Sequence, residues 1–191
     1  MKAWTTLCGV LALASITAWA AGPAAAPLLQ WDSTLWLQQP WTLWTASLVH
    51  LSAAHLLANL LTLGALAVLG SSLGAGQAAT RALVVAWPLG TLALLAWPQV
   101  RQYSGLSGLI HAAVAVLWAH AVVHRRAYPL SFVLFAGMGL KLLSEHAWLT
   151  PVSFDPSWGF NVVYAAHLSG TLAGGACGMA AATWALLRPS A

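Results

Sequence analysis

Gly105-Leu106-Ser107-Gly108 opens an apolar run that continues through Ala112, Val114, Val116 and Leu117, and the reading of that junction decides the rest of the chain. Glycine on both sides lets neighbouring backbone approach closely. A serine at a helix N-terminus sits among unpaired N–H donors that can stabilise an oxyanion. Residue type and setting together point to a nucleophile. Serine and glycine also pack membrane helices against one another, so a lone G-x-S-G has a purely structural reading too. The company it keeps separates the two.

Of 191 residues, 60% are hydrophobic and 5% charged, against roughly a quarter charged in soluble domains, and the mean hydropathy is +0.79. This is the composition of an integral membrane protein, and residues 1–191 read as a single membrane domain surrounded by lipid. Seven Lys plus Arg against three acids give a formal net charge of +4. The basic residues are dispersed without a run, so nucleic-acid binding has no support. Cys8 and Cys177 lie in separate apolar segments, without metal or redox spacing, and read as small core residues with no disulfide framework. No cofactor or metal is expected.

Apolar segments occupy about 4–21, 51–69, 82–97, 105–124, 130–148 and 160–187, six stretches suited to crossing a bilayer core of about 30 Å as helices. The expected fold is an all-α six-helix membrane bundle. Residues 27–49, polar but rich in tryptophan, are expected at the interface, and Trp31, Trp36, Trp41, Trp44, Trp97, Trp148 and Trp158 fall where an aromatic belt would lie. Lys2, the apolar core after it and the small residues Ala18, Ala20 and Ala21 also fit a cleavable leader; the topology needs that segment retained. An N-terminus on the inside places Lys2, Arg81, Arg125, Arg126 and Arg188 in the cytoplasm and leaves Arg101, Asp32 and Asp155 outside. Both termini are therefore expected to be cytoplasmic.

In that arrangement the second, fourth and sixth helices all run from outside to inside, so their first turns share one depth. His55 and Asn59 open the second, Ser107 opens the fourth, and His167 is about two turns into the sixth. At about 1.5 Å rise per residue they fall in one layer, roughly 10–12 Å from the outer surface. Polar side chains inside a bilayer are costly and tend to mark function. His167 is the expected general base for Ser107. His55 and Asn59, four apart on one face, can both donate to the developing oxyanion beside the Ser107 N–H. No carboxylate sits on the fourth or sixth helix, so a Ser/His dyad is expected, with no acid completing a triad. The small residues around Ala166-His167-Leu168-Ser169-Gly170 and Gly174 would let the sixth helix pack closely on the fourth at Gly108.

With these residues in place the chain resembles the rhomboid intramembrane serine proteases. His50-x4-His55-x3-Asn59, then Gly105-Leu106-Ser107-Gly108, then Ala165-Ala166-His167-x2-Gly170-x3-Gly174 occur in that family's order and on its second, fourth and sixth helices. The resemblance implies Ser107 as nucleophile, His167 as base, His55 and Asn59 at the oxyanion site, and His50 as a structural residue of the preceding loop. Within the family the compact form is similar to the bacterial rhombosortases. His111, four residues after Ser107, stands where many other rhomboids carry tyrosine, and Lys141-Leu142-Leu143-Ser144-Glu145 is similar to a Lys/Glu pair of that subgroup. Four apart on one helical face, those charges are expected to neutralise each other and serve structure. The chain departs from the family pattern at Trp41-Thr42, where Trp-Arg is usual, and in lacking an acid around Ser71.

The resemblance implies peptide-bond hydrolysis in the outer half of a bacterial inner membrane, with the active site facing the periplasmic side. The implied substrates are exported proteins whose C-terminal tail carries a Gly-Gly motif, a membrane helix and a basic end. One alternative is a general rhomboid protease acting on other single-span proteins. Another is a small transporter in which His55, His111, His120 and His167 relay protons or bind metal. Neither an HExxH signature nor a metal-like spacing of His50 and His55 supports the second. An inactive rhomboid-like binder would usually lack the serine or the histidine, and both are present.

Overall fold

The computed structural model describes residues 2–125 and 128–187, without the side chains of Tyr128 and Ser131. Arg126 and Arg188, counted above on the inner side, lie outside the described residues. In chain order come α1 (Lys2–Ala20), α2 (Ala26–Leu29), β1 (Trp31–Asp32), α3 (Thr42–Thr45), a 3-10 turn (Ala46–Leu48) and α4 (Ala53–Ser72). Then follow α5 (Gln77–Leu92) with a 3-10 turn (Ala93–Ala96), β2 (Gln102–Tyr103), α6 (Ser107–Val123), α7 (Tyr128–Glu145), β3 (Ser153–Asp155), β4 (Phe160–Val162) and α8 (Tyr164–Leu187). Four helices, Lys2–Ala20, Ala53–Ser72, Gln77–Ala96 and Tyr164–Leu187, are long and apolar enough to cross a membrane, and Ser107–Val123 is a shorter apolar helix.

A helix that is apolar on every side is surrounded either by lipid or by other helices. Other helices surround α6, of whose 17 residues eleven are buried. It packs most closely on α8, where the absence of side chains sets the distance. A Cβ at Gly170 would collide with the Gly108 carbonyl, and one at Gly174 with the Ala112 carbonyl. The obstacle in both cases is backbone, which cannot swing aside. α1 is locked onto α4 by Trp4, fully buried against Gly70, whose indole N–H donates to the Leu66 carbonyl (3.0 Å). α4 begins where Ser52 caps it, accepting the His55 N–H at 3.1 Å. That cap fixes where His55 leaves the helix.

A second, smaller core closes one end of the bundle. Trp31, Leu43, Ala46, Leu94, Val100, Tyr103, Ala165 and Ala166 form it. The antiparallel pair Trp31↔Tyr103 and Asp32↔Gln102 stitches the stretch 27–49 to the loop before α6. Trp31, expected in an interfacial belt, is instead fully buried, because its strand pairing carries the indole beneath that loop. Trp41, Trp44 and Trp148 do remain exposed. Thr42 is buried, and its hydroxyl donates to the Gln39 carbonyl at 2.7 Å.

The boundaries nearest His167 and Glu145 differ from the sequence reading, and α5 begins at Gln77 where 82 was expected. Phe160-Asn161-Val162, expected to begin the last helix, pairs antiparallel with Ser153–Asp155 in a hairpin. Gly159, at φ +74°, turns the chain there. α8 starts only at Tyr164, so His167 lies in its first turn. α7 likewise ends at Glu145, three residues before the expected 148.

Candidate active site

Ser107 is the first residue of α6, and the loop before it is held at both faces of one residue. Gly105 N–H donates to the Ala46 carbonyl (3.0 Å), and the Gly105 carbonyl accepts from the Tyr103 hydroxyl (2.7 Å). Gly105 has φ +115°, and a Cβ there would lie 2.7 Å from His55 Cε1. Only glycine meets both demands. The first N–H of α6 to bond back along the helix is that of Ile110, to the Leu106 carbonyl (2.9 Å). Before it, the Gly108 N–H meets the Tyr103 hydroxyl, and those of Ser107 and Leu109 have no acceptor along the helix.

His167 reaches this point from α8 across the glycine contact. Its Nε2 is 3.0 Å from Ser107 Oγ, and its Nδ1 is 2.8 Å from Glu145 Oε2. A carboxylate only accepts, so Nδ1 carries the proton and Nε2 accepts from the serine hydroxyl. Glu145 Oε1 in turn takes the Lys141 ammonium at 2.6 Å. The expectation of an unassisted dyad is therefore corrected: a carboxylate does orient His167, and it comes from α7. The sequence signal was the Lys141/Glu145 pair itself. Read as closed on itself, it hid the fact that a carboxylate has two oxygens and that lysine occupies one. Glu145 is buried, 8% exposed, and is the only buried residue of α7 among the described side chains.

His55 and Asn59 line the same cavity of about 480 Å³ as Ser107, His111, Lys141 and His167. The structure thus brings the four predicted residues together. The His55 ring is flanked by Trp158 (centroids 5.7 Å) and Phe160 (5.1 Å) from the β3–β4 hairpin. One turn along α4, Asn59 is buried, and its amide nitrogen finds no hydrogen-bond acceptor among the described residues. A buried donor without an acceptor, on a residue that lines the cavity, suits an acceptor that arrives with a ligand.

His111 stacks on His167, with ring centroids 4.2 Å apart and planes 12° from parallel, and its Nδ1–H donates to the Ser107 carbonyl (2.7 Å). His111, Glu145 and His167 hold ligand atoms within 4.8 Å of one another. Ring lone pairs lie in the ring plane, so two stacked imidazoles cannot both aim at one ion without turning, and both Nδ1 atoms are already engaged. His120 is thirteen residues along α6 from Ser107, about 20 Å away at the helical rise. There it contacts the Leu73 carbonyl (3.3 Å) and the His124 ring (4.5 Å). A relay through His55, His111, His120 and His167 would have to cross that gap. His50, in the loop before α4, is buried with Nδ1 3.0 Å from the Leu48 carbonyl, and burial holds its pKa below the ordinary histidine value.

A family model described as the Rhomboid domain matches residues 37–184. No curated protein matches the chain.

Proposed function

The chain belongs to the rhomboid family, whose members are intramembrane serine proteases, and we propose that in it Ser107 is the nucleophile, His167 the base and Glu145 the acid that orients it. The observation that carries this reading is the unbroken chain of contacts, Ser107 Oγ to His167 Nε2 at 3.0 Å and His167 Nδ1 to Glu145 Oε2 at 2.8 Å. As Ser107 Oγ attacks a carbonyl carbon, its proton passes to His167 Nε2. The imidazolium so formed keeps its Nδ1–H on Glu145, which offsets the new charge. Negative charge on the substrate oxygen is met by the Ser107 N–H, the Asn59 amide and the Nε2–H of His55. His167 then gives its proton to the leaving amine, and the acyl-serine is released by water through the same steps in reverse.

His111 lies flat against His167 and supplies a polarisable face to the imidazolium. Lys141 holds the far oxygen of Glu145 and leaves Oε2 for histidine. Six spans with both termini in the cytoplasm would put this cavity toward the outer side of a bacterial inner membrane. The dispersed basic residues support that orientation. A membrane-helix substrate must unwind to expose a carbonyl, so helix-breaking glycines near its outer end would favour cleavage. His111 and the Lys141/Glu145 pair support the rhombosortase reading, with exported proteins carrying Gly-Gly-type C-terminal tails as substrates.

The test is co-expression with an exported reporter bearing such a tail, comparing wild type with Ser107→Ala and His167→Ala at matched membrane levels. The expected outcome is a shortened reporter with wild type alone. An intact reporter together with Ser107-dependent fluorophosphonate labelling would move the substrates to other single-span proteins. Absence of both would remove the assigned roles of Ser107 and His167.

A further inference from the structure

Tyr103 precedes the nucleophile in β2, and its hydroxyl touches the chain on both sides of Ser107. Before the serine, the hydroxyl lies 2.7 Å from the Gly105 carbonyl. After it, the Gly108 N–H meets the same oxygen. A Cβ on Gly108 would come within 2.7 Å of that hydroxyl and 3.0 Å of the Ala166 carbonyl, so the missing side chain admits the phenol as well as α8. The Ser47 hydroxyl also meets the phenol oxygen, and Ser47 Oγ takes the Trp87 indole N–H at 3.0 Å. Tyr103 and Ser47 are both buried.

The direction of each bond follows from what each group can give. A phenol has one hydrogen, and the Gly105 carbonyl can only accept, so the hydrogen lies on that contact. The phenol oxygen must then accept from its other neighbours. The Gly108 N–H can only donate, and Ser47 has to donate as well. Ser47 keeps its hydrogen for this contact because the Trp87 N–H, which never accepts, meets its oxygen. One chain results, from Trp87 N–H to Ser47 O–H to Tyr103 O–H to the Gly105 carbonyl. It ties α5, the 3-10 turn Ala46–Leu48 and β2 to the loop before α6. Hydrogen bonds strung in one direction strengthen one another in a low-dielectric interior.

The two backbone groups that Tyr103 meets belong to the peptides 105–106 and 107–108. Between them lies the peptide that carries the Ser107 N–H, the backbone donor assigned above to the oxyanion. We propose that Tyr103, aimed by Ser47, is a positioning residue of the protease: its hydroxyl clamps the peptides on either side of the Ser107 N–H and so holds that donor and Ser107 Oγ in reacting geometry. This rests on the role of Ser107 as nucleophile.

The experiment follows Ser107 labelling by a fluorophosphonate over time in the full chain in detergent, comparing wild type, Tyr103→Phe and Ser47→Ala. The endpoint counts folded sites, and the rate constant measures the reactivity of each. Phenylalanine keeps the ring that packs with Trp31, Leu43 and Val100 and removes only the hydroxyl. Tyr103→Phe is expected to reach an endpoint near that of wild type with a rate constant lower by about tenfold, because a reacting group misplaced by about 1 Å can cost about 10²-fold and loss of the clamp loosens Ser107 by less. Ser47→Ala leaves the phenol without the donor that aims it, and is expected to slow labelling by about threefold, the scale of one neutral hydrogen bond. A lower endpoint with an unchanged rate constant in Tyr103→Phe would show a structural role alone and overturns the proposal, as does an unchanged rate constant at full endpoint. If Tyr103→Phe does not fold, Ser47→Ala decides in its place, and a wild-type rate constant there overturns it. A wild type that is not labelled at all sinks instead the role of Ser107 on which the proposal rests.

Discussion

α8 and α7 both deliver one residue to the same chain of contacts, and they are held by opposite means. α8 brings His167 on a face stripped to glycine, where Gly170 and Gly174 touch backbone carbonyls of α6. α7 brings Glu145 on a helix whose Phe132, Val133, Phe135, Leu140 and Leu143 are all exposed, and Glu145 is its only buried residue among the described side chains. The base is placed by packing and the acid by charge. Packing at backbone contact admits one geometry, because nothing on either side can rotate away. A carboxylate between an imidazole and an ammonium can keep its bonds while its helix shifts a little. The rigid contact therefore belongs to the two groups that exchange a proton, and the tolerant one to the group that only steadies them.

The sharpest way to break this contrast is to put a side chain into the seam. Gly174→Val places a branched Cβ against the Ala112 backbone, and overpacking that only backbone movement can relieve is among the most destabilising of core changes. We expect the folded yield in detergent to collapse and reporter cleavage to reach background, with size-exclusion profile and cleavage measured on the same membranes. A folded, active Gly174→Val would mean that the seam is looser than its geometry. Next comes the acid. Glu145→Gln keeps the shape of the side chain and removes its charge, and loss of the orienting carboxylate in a serine–histidine site costs roughly 10³- to 10⁴-fold in turnover. The fold should survive, since α7 rests on few buried contacts. A loss below about tenfold would return the site to an unassisted pair.

Lys141→Met sharpens the same point from the other side. Lys141 bonds Glu145 Oε1 at 2.6 Å, but its side chain is 55% exposed, so water already screens its charge and can replace part of its hydrogen bonding. Turnover is expected to fall by roughly three- to tenfold, well short of Glu145→Gln, and the double variant should be no slower than Glu145→Gln alone. Additive losses in that cycle would show that Lys141 acts on the substrate rather than through Glu145.

What was legible in the sequence follows the same division. Helices running in one direction share a depth, so His55, Asn59, Ser107 and His167 can be assigned to one layer from segment order alone, and the glycines at 170 and 174 announce close packing. Glu145 could not be read that way, because its partner on α8 is invisible to any spacing rule, whereas its partner at i−4 is obvious. The hairpin was missed for a different reason. Phe160-Asn161-Val162 is nearly as apolar as the helix after it, and no periodicity separates a three-residue strand from the start of a long helix. Trp31 was misplaced because an indole suits an interface as well as a small core, and only the strand pairing with Tyr103 chooses between them.

The hairpin also supplies the smallest effect, and it tests whether the polar-held regions all matter alike. Asp155 accepts from the backbone N–H and hydroxyl of Ser157, which hold its carboxyl below the ordinary aspartate range, and it is partly exposed. These bonds shape the turn that presents Trp158 and Phe160 to His55. A carboxyl whose pKa is lowered in the folded state stabilises that state above its unfolded pKa and loses the contribution as pH falls through the folded value. Nothing from Asp155 should therefore change between about pH 5 and 8, the window in which histidines titrate. Asp155→Ala is expected to lower turnover by about twofold or less, as for other surface substitutions, and to leave the shape of the pH–rate profile over that window unchanged. A shifted profile in Asp155→Ala would mean that the hairpin governs the protonation of His55 or His167. The acid on α7 would then be only one of two elements that tune the base from outside the seam.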